Sequence, residues 1–199
     1  LVALLMLTSA GSADAWILNI SSGPKQIYIQ VGNGSYTGGN YNAGGTPANN
    51  NTVNVVSVNI PAASLGSGTP IPMTSNSSAA NSFYDGFNVC TPPSQVYIGG
   101  WVRVPGSSGS GVMSVSTPAS LVNSSGDTIP FSSISWTSTA NGNSTPDISA
   151  GTFNGGTITL ASIGANRWVE NCMTFSYANT AVYAAGTYTG RAIYTLSLP

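Results

Sequence analysis

The stretch of residues 188–198, near the C-terminus, constrains the fold more than any other part of this 199-residue chain. Its apolar residues recur at every second position, and mostly Thr, Ser and Arg lie between them, with Ile193 as the exception. Side chains of a β-strand point alternately to opposite faces, so this pattern predicts a strand with one face on a core and the other in water. The residues expected on the core side are Tyr188, Gly190, Ala192, Tyr194, Leu196 and Leu198.

The rest of the chain is organised in the same way, as short runs rich in Val, Ile and Thr between Gly, Pro, Asn and Ser. Residues 27–31 predict a strand that ends in a turn, and residues 96–104 predict a strand that a bulge or bend interrupts at Gly99 and Gly100. Residues 38–51 show no periodicity and are expected to form a loop. Because no window has helical periodicity or a capping box, the sequence predicts an all-β protein.

Short strands separated by frequent turn signals are typical of a sandwich or a barrel. No linker of distinctive composition divides the chain, so residues 16–199 are expected to form a single β-sandwich domain with long Gly/Asn/Ser-rich loops, the alternative being two small sandwiches. The residues that we expect in the core are Ile98, Val102, Val115, Phe131, Ile134, Ile158, Phe175, Tyr188, Tyr194 and Leu196.

Charged residues are scarce. They make up 5% of the chain, against about 25% in typical globular proteins, and the net charge is −1 with no His. A disordered polar chain is the alternative, but 41% hydrophobic residues supply enough material for a core. Four Lys and Arg residues in total cannot form a basic patch, so no nucleic-acid partner is expected. With little charge repulsion between copies, such a surface associates easily.

Residues 1–15 are interpreted as a secretory signal peptide that lacks its first residues. An apolar run, LVALLML, precedes an A-x-A cleavage site at Ala13-Asp14-Ala15. The alternative is an ordinary N-terminal strand or helix. The mature chain would begin at Trp16, with no membrane span after it, and the protein would be secreted, periplasmic or at the cell surface.

Cys90 and Cys172 are the two cysteines of the chain. An even pair in an exported protein most often forms a disulfide. Two separately buried thiols are the alternative. Two cysteines without histidine or a CxxC spacing do not favour a metal site.

No catalytic constellation is evident, and neither a catalytic residue nor a cofactor is predicted. The absence of His excludes Ser–His and Cys–His pairs. The carboxylates of the mature chain are Asp85, Asp127, Asp147 and Glu170, and the three aspartates lie in turn-like dipeptides. Two of the four would have to meet to form a glycosidase site. Glu170 is expected to pair with an arginine such as Arg167 or Arg191, and calcium binding by several of these acids is a further alternative.

The tryptophans offer a candidate binding site. Trp101, Trp136 and Trp168, together with surface tyrosines, would form a stacking platform for sugars. The alternative is that they fill the core or shield the disulfide.

The element Gly186-Thr187-Tyr188-Thr189-Gly190, which runs into residues 191–198, resembles the closing strand of secreted bacterial spore-coat-U-like and archaic chaperone–usher pilin subunits. Those proteins share the cleaved signal, the few charges, the disulfide and the abundance of Gly, Asn, Ser and Thr. This chain is longer, both of its cysteines lie in the second half, and Gly190 stands where the family often has Asp. The resemblance implies an immunoglobulin-like antiparallel sandwich and a structural role.

The resemblance also implies a route to assembly. In such subunits an extended segment of a neighbour completes the sandwich through main-chain hydrogen bonds. The candidate donor here is residues 16–31, in which Ile27, Ile29 and Val31 alternate. The alternative is that this segment is the first strand of its own sheet.

These observations favour an exported, non-enzymatic structural or adhesive protein of a bacterial cell surface, with a pilin-like subunit as one form of it. Its expected partners are further copies of itself or other surface proteins. The alternative is a secreted carbohydrate-binding module that uses exposed aromatic residues to bind glycans.

Overall fold

The computed structural model describes residues 23–40, 44–48, 53–106, 109–140 and 145–198. The predicted signal peptide, residues 1–15, and the predicted mature start at Trp16 lie outside the described residues.

The larger sheet is antiparallel and carries most of the long strands. Its strands are β1 (Gln26–Val31), β7 (Val96–Arg103), β14 (Arg167–Tyr177), β11 (Ile134–Ala140) and β12 (Gly151–Thr152), in that spatial order. The short strand β5 (Ile71–Pro72) pairs with the end of β14. Full antiparallel pairing of β1 with β7 makes β1 the edge strand of this sheet in the described part of the chain.

The smaller sheet contains the C-terminal strand. It has the order β13 (Thr157–Gly164), β8 (Ser110–Ser116) and β15 (Ile193–Ser197). Along β15, Leu196 is buried and Tyr194 half-buried, whereas Ile193, Thr195 and Ser197 are exposed. The predicted alternation is therefore confirmed, in a strand shorter than the pattern.

The two sheets pack face to face and enclose one hydrophobic core. The larger sheet contributes Ile98, Val169 and Met173, and the smaller sheet contributes Met113 and Ile163. The ten predicted core residues all belong to this cluster or pack against it, with Ile158, Tyr188 and Tyr194 among the partly buried ones. The all-β sandwich predicted from the sequence is confirmed.

The remaining strands are short. They are β2 (Ser35–Asn40) with β3 (Gly44–Ala48), β4 (Val56–Ser57) with β6 (Thr74–Ser75), and β9 (Ser120–Val122) with β10 (Thr128–Pro130). Two single-turn 3-10 helices, Ala62–Ser64 and Phe131–Ser133, accompany them. The prediction of a loop over residues 38–51 is wrong at 38–40 and 44–48, where β2 and β3 pair, and the rest of that stretch lies outside the described residues. Backbone pairing between two strands needs no apolar periodicity, so the pattern gave no signal there.

The paired glycines of β7 do not form the predicted bulge, because the pairing with β1 and β14 continues through them without a register shift. A Cβ atom on Gly99 would lie 2.6 Å from the hydroxyl oxygen of Tyr97 and 2.8 Å from the carbonyl oxygen of Val169. One on Gly100 would collide with the carbonyl oxygen of Tyr28. These positions require glycine because other groups approach the backbone closely.

The outer face of the smaller sheet is solvated by uncharged polar side chains. Hydroxyl side chains dominate it: Ser114, Ser116, Thr157, Thr159, Ser162, Thr195 and Ser197 are exposed or half-exposed. Such side chains suit the solvated face of an antiparallel sheet.

Candidate functional site

Aromatic side chains cover the outer face of the larger sheet. Trp101 on β7 lies directly opposite Tyr28 on β1 and Trp168 on β14. The ring centroid of Tyr28 is 6.2 Å from that of Trp101 and 6.1 Å from that of Trp168. Aromatic contacts at these separations stabilise the pairs beyond their buried area. These rings form an aromatic layer on the outer face of the sheet, separate from the core.

The disulfide holds a loop over this layer. Cys90 is bonded to Cys172 on β14, with their Cα atoms 5.5 Å apart, and Cys172 lies opposite Tyr97 of β7. Both cysteines are buried together with Tyr97. The predicted disulfide is confirmed, and it fixes the segment before Cys90, residues 80–90, which we call the aromatic loop.

Hydrogen bonds within the aromatic loop define its shape. The N–H of Ser82 donates to the carbonyl oxygen of Phe87 at 2.8 Å, and the N–H groups of Val89 and Cys90 donate to that of Ala80 at 2.8 and 2.9 Å. The hydroxyl oxygen of Ser82 accepts from the N–H of Tyr84 at 3.0 Å. Hydrogen bonds thus join the two ends of the loop, at Ala80 and Cys90, and also its middle, at Ser82 and Phe87.

Three aromatic residues of this loop take different positions. Phe83 packs inward, edge to face, on Tyr97 with centroids 6.2 Å apart. Tyr84 lies against Trp168 at 5.5 Å yet keeps 44% of its surface exposed. Phe87 is 70% exposed. The loop therefore holds two aromatic rings at the surface, and one of them, Tyr84, lies against the half-buried ring of Trp168.

The structure corrects the predicted tryptophan platform. Trp101 and Trp136 retain only 1% and 4% of their surface, so neither offers a ring to a ligand. Trp136 packs in the core on Phe153, with centroids 4.8 Å apart, and its Nε1 donates to the carbonyl oxygen of Ser149 at 2.9 Å. Burying a large aromatic ring lowers the free energy of the folded chain, so tryptophans are placed in the interior where the fold allows it. Within the described residues, Trp168 is the one of the three that lies beside an exposed ring, that of Tyr84.

Sequence reasoning missed Tyr84 and Phe87. A signal was present, since both flank Asp85-Gly86, a dipeptide typical of turns. Aromatic residues on either side of a surface turn are placed near solvent whatever the sheet order. Two aromatic residues around a turn dipeptide, with Cys90 a few residues later, would therefore have predicted a disulfide-anchored surface loop that exposes them.

A partly buried hydrogen bond lies beneath the loop. The hydroxyl of Tyr97 donates to Oε1 of Glu170 at 2.7 Å. Burial raises the pKa of Tyr97 well above its usual range, and the negative charge of Glu170 and this hydrogen bond raise it further. Tyr97 therefore remains a neutral donor. The prediction that Glu170 pairs with Arg167 or Arg191 is wrong: in the described part of the chain Glu170 forms no ion pair, and Arg167 bonds instead to Asp147 at 2.6 Å.

The other carboxylates each take part in local structure. Asp85 accepts from the N–H of Phe87 at 3.0 Å, and Asp127 accepts from the side-chain amide of Asn123 at 2.9 Å. Within the described ranges, no group of three or more His, Cys, Asp or Glu side chains is placed to hold a metal ion. This region can therefore bind a partner through aromatic rings and side-chain amides.

The fold and this region define the chain as an all-β sandwich with a disulfide-anchored surface loop. No protein-family model matches the chain, and neither a curated protein nor a solved structure matches it. Across the described part of the chain, no helix has the length and apolar character needed to cross a membrane. The disulfide is compatible with an extracytoplasmic location.

Proposed function

We propose that this chain is an extracytoplasmic, non-enzymatic protein with an adhesive role, and that the aromatic loop is its contact element. The observation that carries the proposal is the exposure of Tyr84 and Phe87 on a loop that a disulfide and internal hydrogen bonds hold in place. Single exposed apolar residues are common on protein surfaces. Two exposed aromatic rings on one loop held in place, with Tyr84 packed against Trp168, are a more specific arrangement, because aromatic anchors dominate binding energies.

The rigidity of the loop supports a binding role. Association costs the freedom of every side chain and loop that it orders. Here the loop is already fixed by Cys90, by the contact of Phe83 with Tyr97 and by the main-chain hydrogen bonds. A partner would therefore meet rings that are already in position.

The ionisable groups support a non-enzymatic role. Asp85, Asp127, Asp147 and Glu170 each accept a hydrogen bond from a different part of the structure. General acid–base catalysis needs a positioned pair of proton-transfer groups facing one substrate. Four carboxylates used separately for local structure fit a scaffold better.

Polymerisation through an N-terminal donor strand receives less support. Residues Gln26–Val31 pair along their whole length with β7 of the same chain. This favours the alternative in which the segment is the first strand of its own sheet. Residues 16–22 of the candidate donor lie outside the described residues.

A secreted carbohydrate-binding module is the second candidate. The exposed ring of Tyr84 lies on Trp168, and the same loop carries the exposed amides of Asn81 and Asn88. Aromatic faces with neighbouring amides can contact both the apolar face and the hydroxyl groups of a sugar.

The test is retention of the oxidised chain on intact bacterial cells, on protease-treated cells and on immobilised polysaccharides. The double variant Tyr84→Ser/Phe87→Ser should lose retention at least tenfold, since two aromatic anchors each contribute about 1–2 kcal/mol or more. The matched control, Val182→Ser/Ile193→Ser, removes two other exposed apolar side chains and should retain binding. Loss of retention after protease treatment indicates a protein partner. Equal retention of both double variants, or none by the unchanged chain, would overturn the proposal.

A further inference from the structure

An open depression lies beside the aromatic loop. It has a volume of about 420 Å³ and lies between the turn after β1 and the start of the loop. The lining residues are Asn33, Gly34, Ser78, Ala79, Ala80, Asn81 and Phe83. Small-molecule sites usually have volumes of about 300–1,000 Å³, so the depression is large enough for one small ring.

The lining chemistry selects against ions. None of the seven lining residues carries a charge, so neither an anion nor a cation finds a counter-ion in this wall. The side chains present are two amides, one hydroxyl, two alanine methyl groups and the half-buried ring of Phe83. Amides and hydroxyls both donate and accept hydrogen bonds, and the ring offers an apolar surface. A neutral molecule with hydroxyl groups and an apolar face matches this set.

One wall of the depression is fixed by asparagine side chains. Oδ1 of Asn33 accepts from the N–H of Ser78 at 2.7 Å and from its hydroxyl at 3.1 Å. The N–H of Asn33 donates to Oδ1 of Asn54 at 3.2 Å, and Nδ2 of Asn54 donates to the carbonyl oxygen of Val31 at 2.7 Å. The turn after β1 and the segment at Ser78 are thereby tied together.

The opposite wall belongs to the aromatic loop. Ala80 is held by the hydrogen bonds from Val89 and Cys90, and Phe83 is held by its contact with Tyr97. Asn81 is exposed, and its Oδ1 accepts from Nδ2 of Asn88 over a long 3.4 Å. A weakly held, exposed amide can exchange that contact for a ligand at small cost. Both walls of the depression are therefore held in place, and the Asn81 amide is the group free to turn toward a ligand.

We infer that this depression binds a single ring of a neutral glycan, with Phe83 against the apolar face of the sugar and Asn81 bonded to its hydroxyls. The inference rests on the adhesive function proposed above and names the ligand class at a subsite that the same loop lines with Asn81 and Phe83. It gives Phe83 and Asn81 roles distinct from those of the exposed rings.

The experiment is a two-dimensional ¹⁵N–¹H NMR titration of the oxidised chain with the methyl glycosides of glucose, mannose, galactose and N-acetylglucosamine. At least one neutral glycoside should shift the amide signals of residues 33–34 and 78–83, with a millimolar dissociation constant. Glucuronate, which is charged, should bind more weakly. Shifts confined to other regions, or none from any neutral glycoside, would overturn the inference.

Variants assign the contacts. Asn81→Ala should weaken binding about fivefold, the effect of one lost net hydrogen bond, whereas Asn59→Ala, which removes another exposed amide, should leave it unchanged. Phe83→Leu should also weaken binding. Because Phe83 packs on Tyr97, Asn81→Ala keeps the test decisive if Phe83→Leu fails to fold. Unchanged binding by Asn81→Ala would contradict the assigned site.

The two proposals fail separately. Tyr84→Ser/Phe87→Ser should still bind the small glycoside, because neither residue lines the depression. If that variant loses retention on cells while the depression shows no glycoside shifts, the adhesive role stands and the sugar subsite is wrong. If the glycoside binds but the variant adheres normally, the subsite stands and the role of the exposed rings is wrong.

Discussion

Tyr97 and Glu170 are joined across strands β7 and β14 by a hydrogen bond of 2.7 Å from the tyrosine hydroxyl to Oε1. Gly99, directly opposite Glu170, leaves the space that the tyrosine hydroxyl occupies. Phe83 of the aromatic loop packs on the same tyrosine ring. The pair therefore connects the sheet to the loop above it.

Removal of the tyrosine hydroxyl should destabilise the protein. Tyr97→Phe would leave the partly buried Glu170 without its donor, and we expect a loss of about 1.5–3 kcal/mol, the range for hydrogen bonds to charged groups. The control is Tyr188→Phe, which removes an exposed hydrogen bond to the carbonyl oxygen of Ala184 and should cost about 1 kcal/mol or less. Chemical denaturation followed by tryptophan fluorescence measures both. Equal losses in the two variants would contradict a special role for Tyr97.

Stability should fall at alkaline pH. Burial first, and then the charge of Glu170, raise the pKa of Tyr97, and burial also raises that of Tyr194. A raised pKa means that the folded chain keeps protons that the unfolded chain loses. The resulting stability is complete below the ordinary tyrosine pKa of about 10 and declines as the pH rises above it.

Denaturation midpoints measured from about pH 8 to pH 11 test this linkage, since the window spans the ordinary tyrosine pKa. The unchanged chain should lose stability above about pH 10, and Tyr97→Phe should show a shallower decline. Parallel curves for the two proteins would show that Tyr97 does not contribute to the alkaline loss.

The sandwich was predictable because its main signals are local. Alternation in residues 188–198 and the apolar run at 96–104 require nothing beyond the pleat of a strand and a core to face. The hairpin of β2 and β3 was not predictable, since backbone hydrogen bonds form it without an apolar pattern. The bulge expected at Gly99 and Gly100 failed for a related reason. Their need for glycine comes from Tyr97 and Tyr28, whose approach depends on strand pairing.

The candidate site was only partly predictable. The disulfide followed from cysteine number and the inferred export, but which rings it would bring to the surface did not. Trp101 and Trp136 have the same residue type as Trp168, and only the sheet order decides that they are buried. Tyr84 and Phe87 gain their position from a loop held to β14 by Cys90, a contact across 82 positions of sequence.

Loss of the disulfide should destabilise the chain and loosen the aromatic loop. The double variant Cys90→Ala/Cys172→Ala removes a cross-link between residues 82 positions apart, worth about 4.5 kcal/mol as a loop-closure effect and typically 2–5 kcal/mol in practice. Hydrogen exchange should accelerate in residues 80–90 more than in β8, which lies in the other sheet. A uniform acceleration throughout the chain would show that the cross-link acts only on global stability. An unchanged denaturation midpoint would contradict its stabilising role.

Any side chain at Gly99 should lower the stability of the folded chain. In Gly99→Ala the new methyl group would lie 2.6 Å from the Tyr97 hydroxyl oxygen and 2.8 Å from the Val169 carbonyl oxygen, so the hydroxyl or the strand must move. We expect a loss of about 1–3 kcal/mol, the usual cost of overpacking. Gly164→Ala is the matched control, because Gly164 also lies in a strand and its added Cβ meets no atom within 4 Å. Its effect should stay within about 0.5 kcal/mol.

Chemical denaturation measures both variants, and the double variant Gly99→Ala/Tyr97→Phe identifies which contact causes the loss. If the clash with the hydroxyl oxygen dominates, the double variant will lose less stability than the sum of the two single losses. Full additivity would assign the cost of Gly99→Ala to the contacts that Tyr97→Phe leaves in place, those with the Tyr97 ring carbon Cζ and the Val169 carbonyl oxygen, both at 2.8 Å.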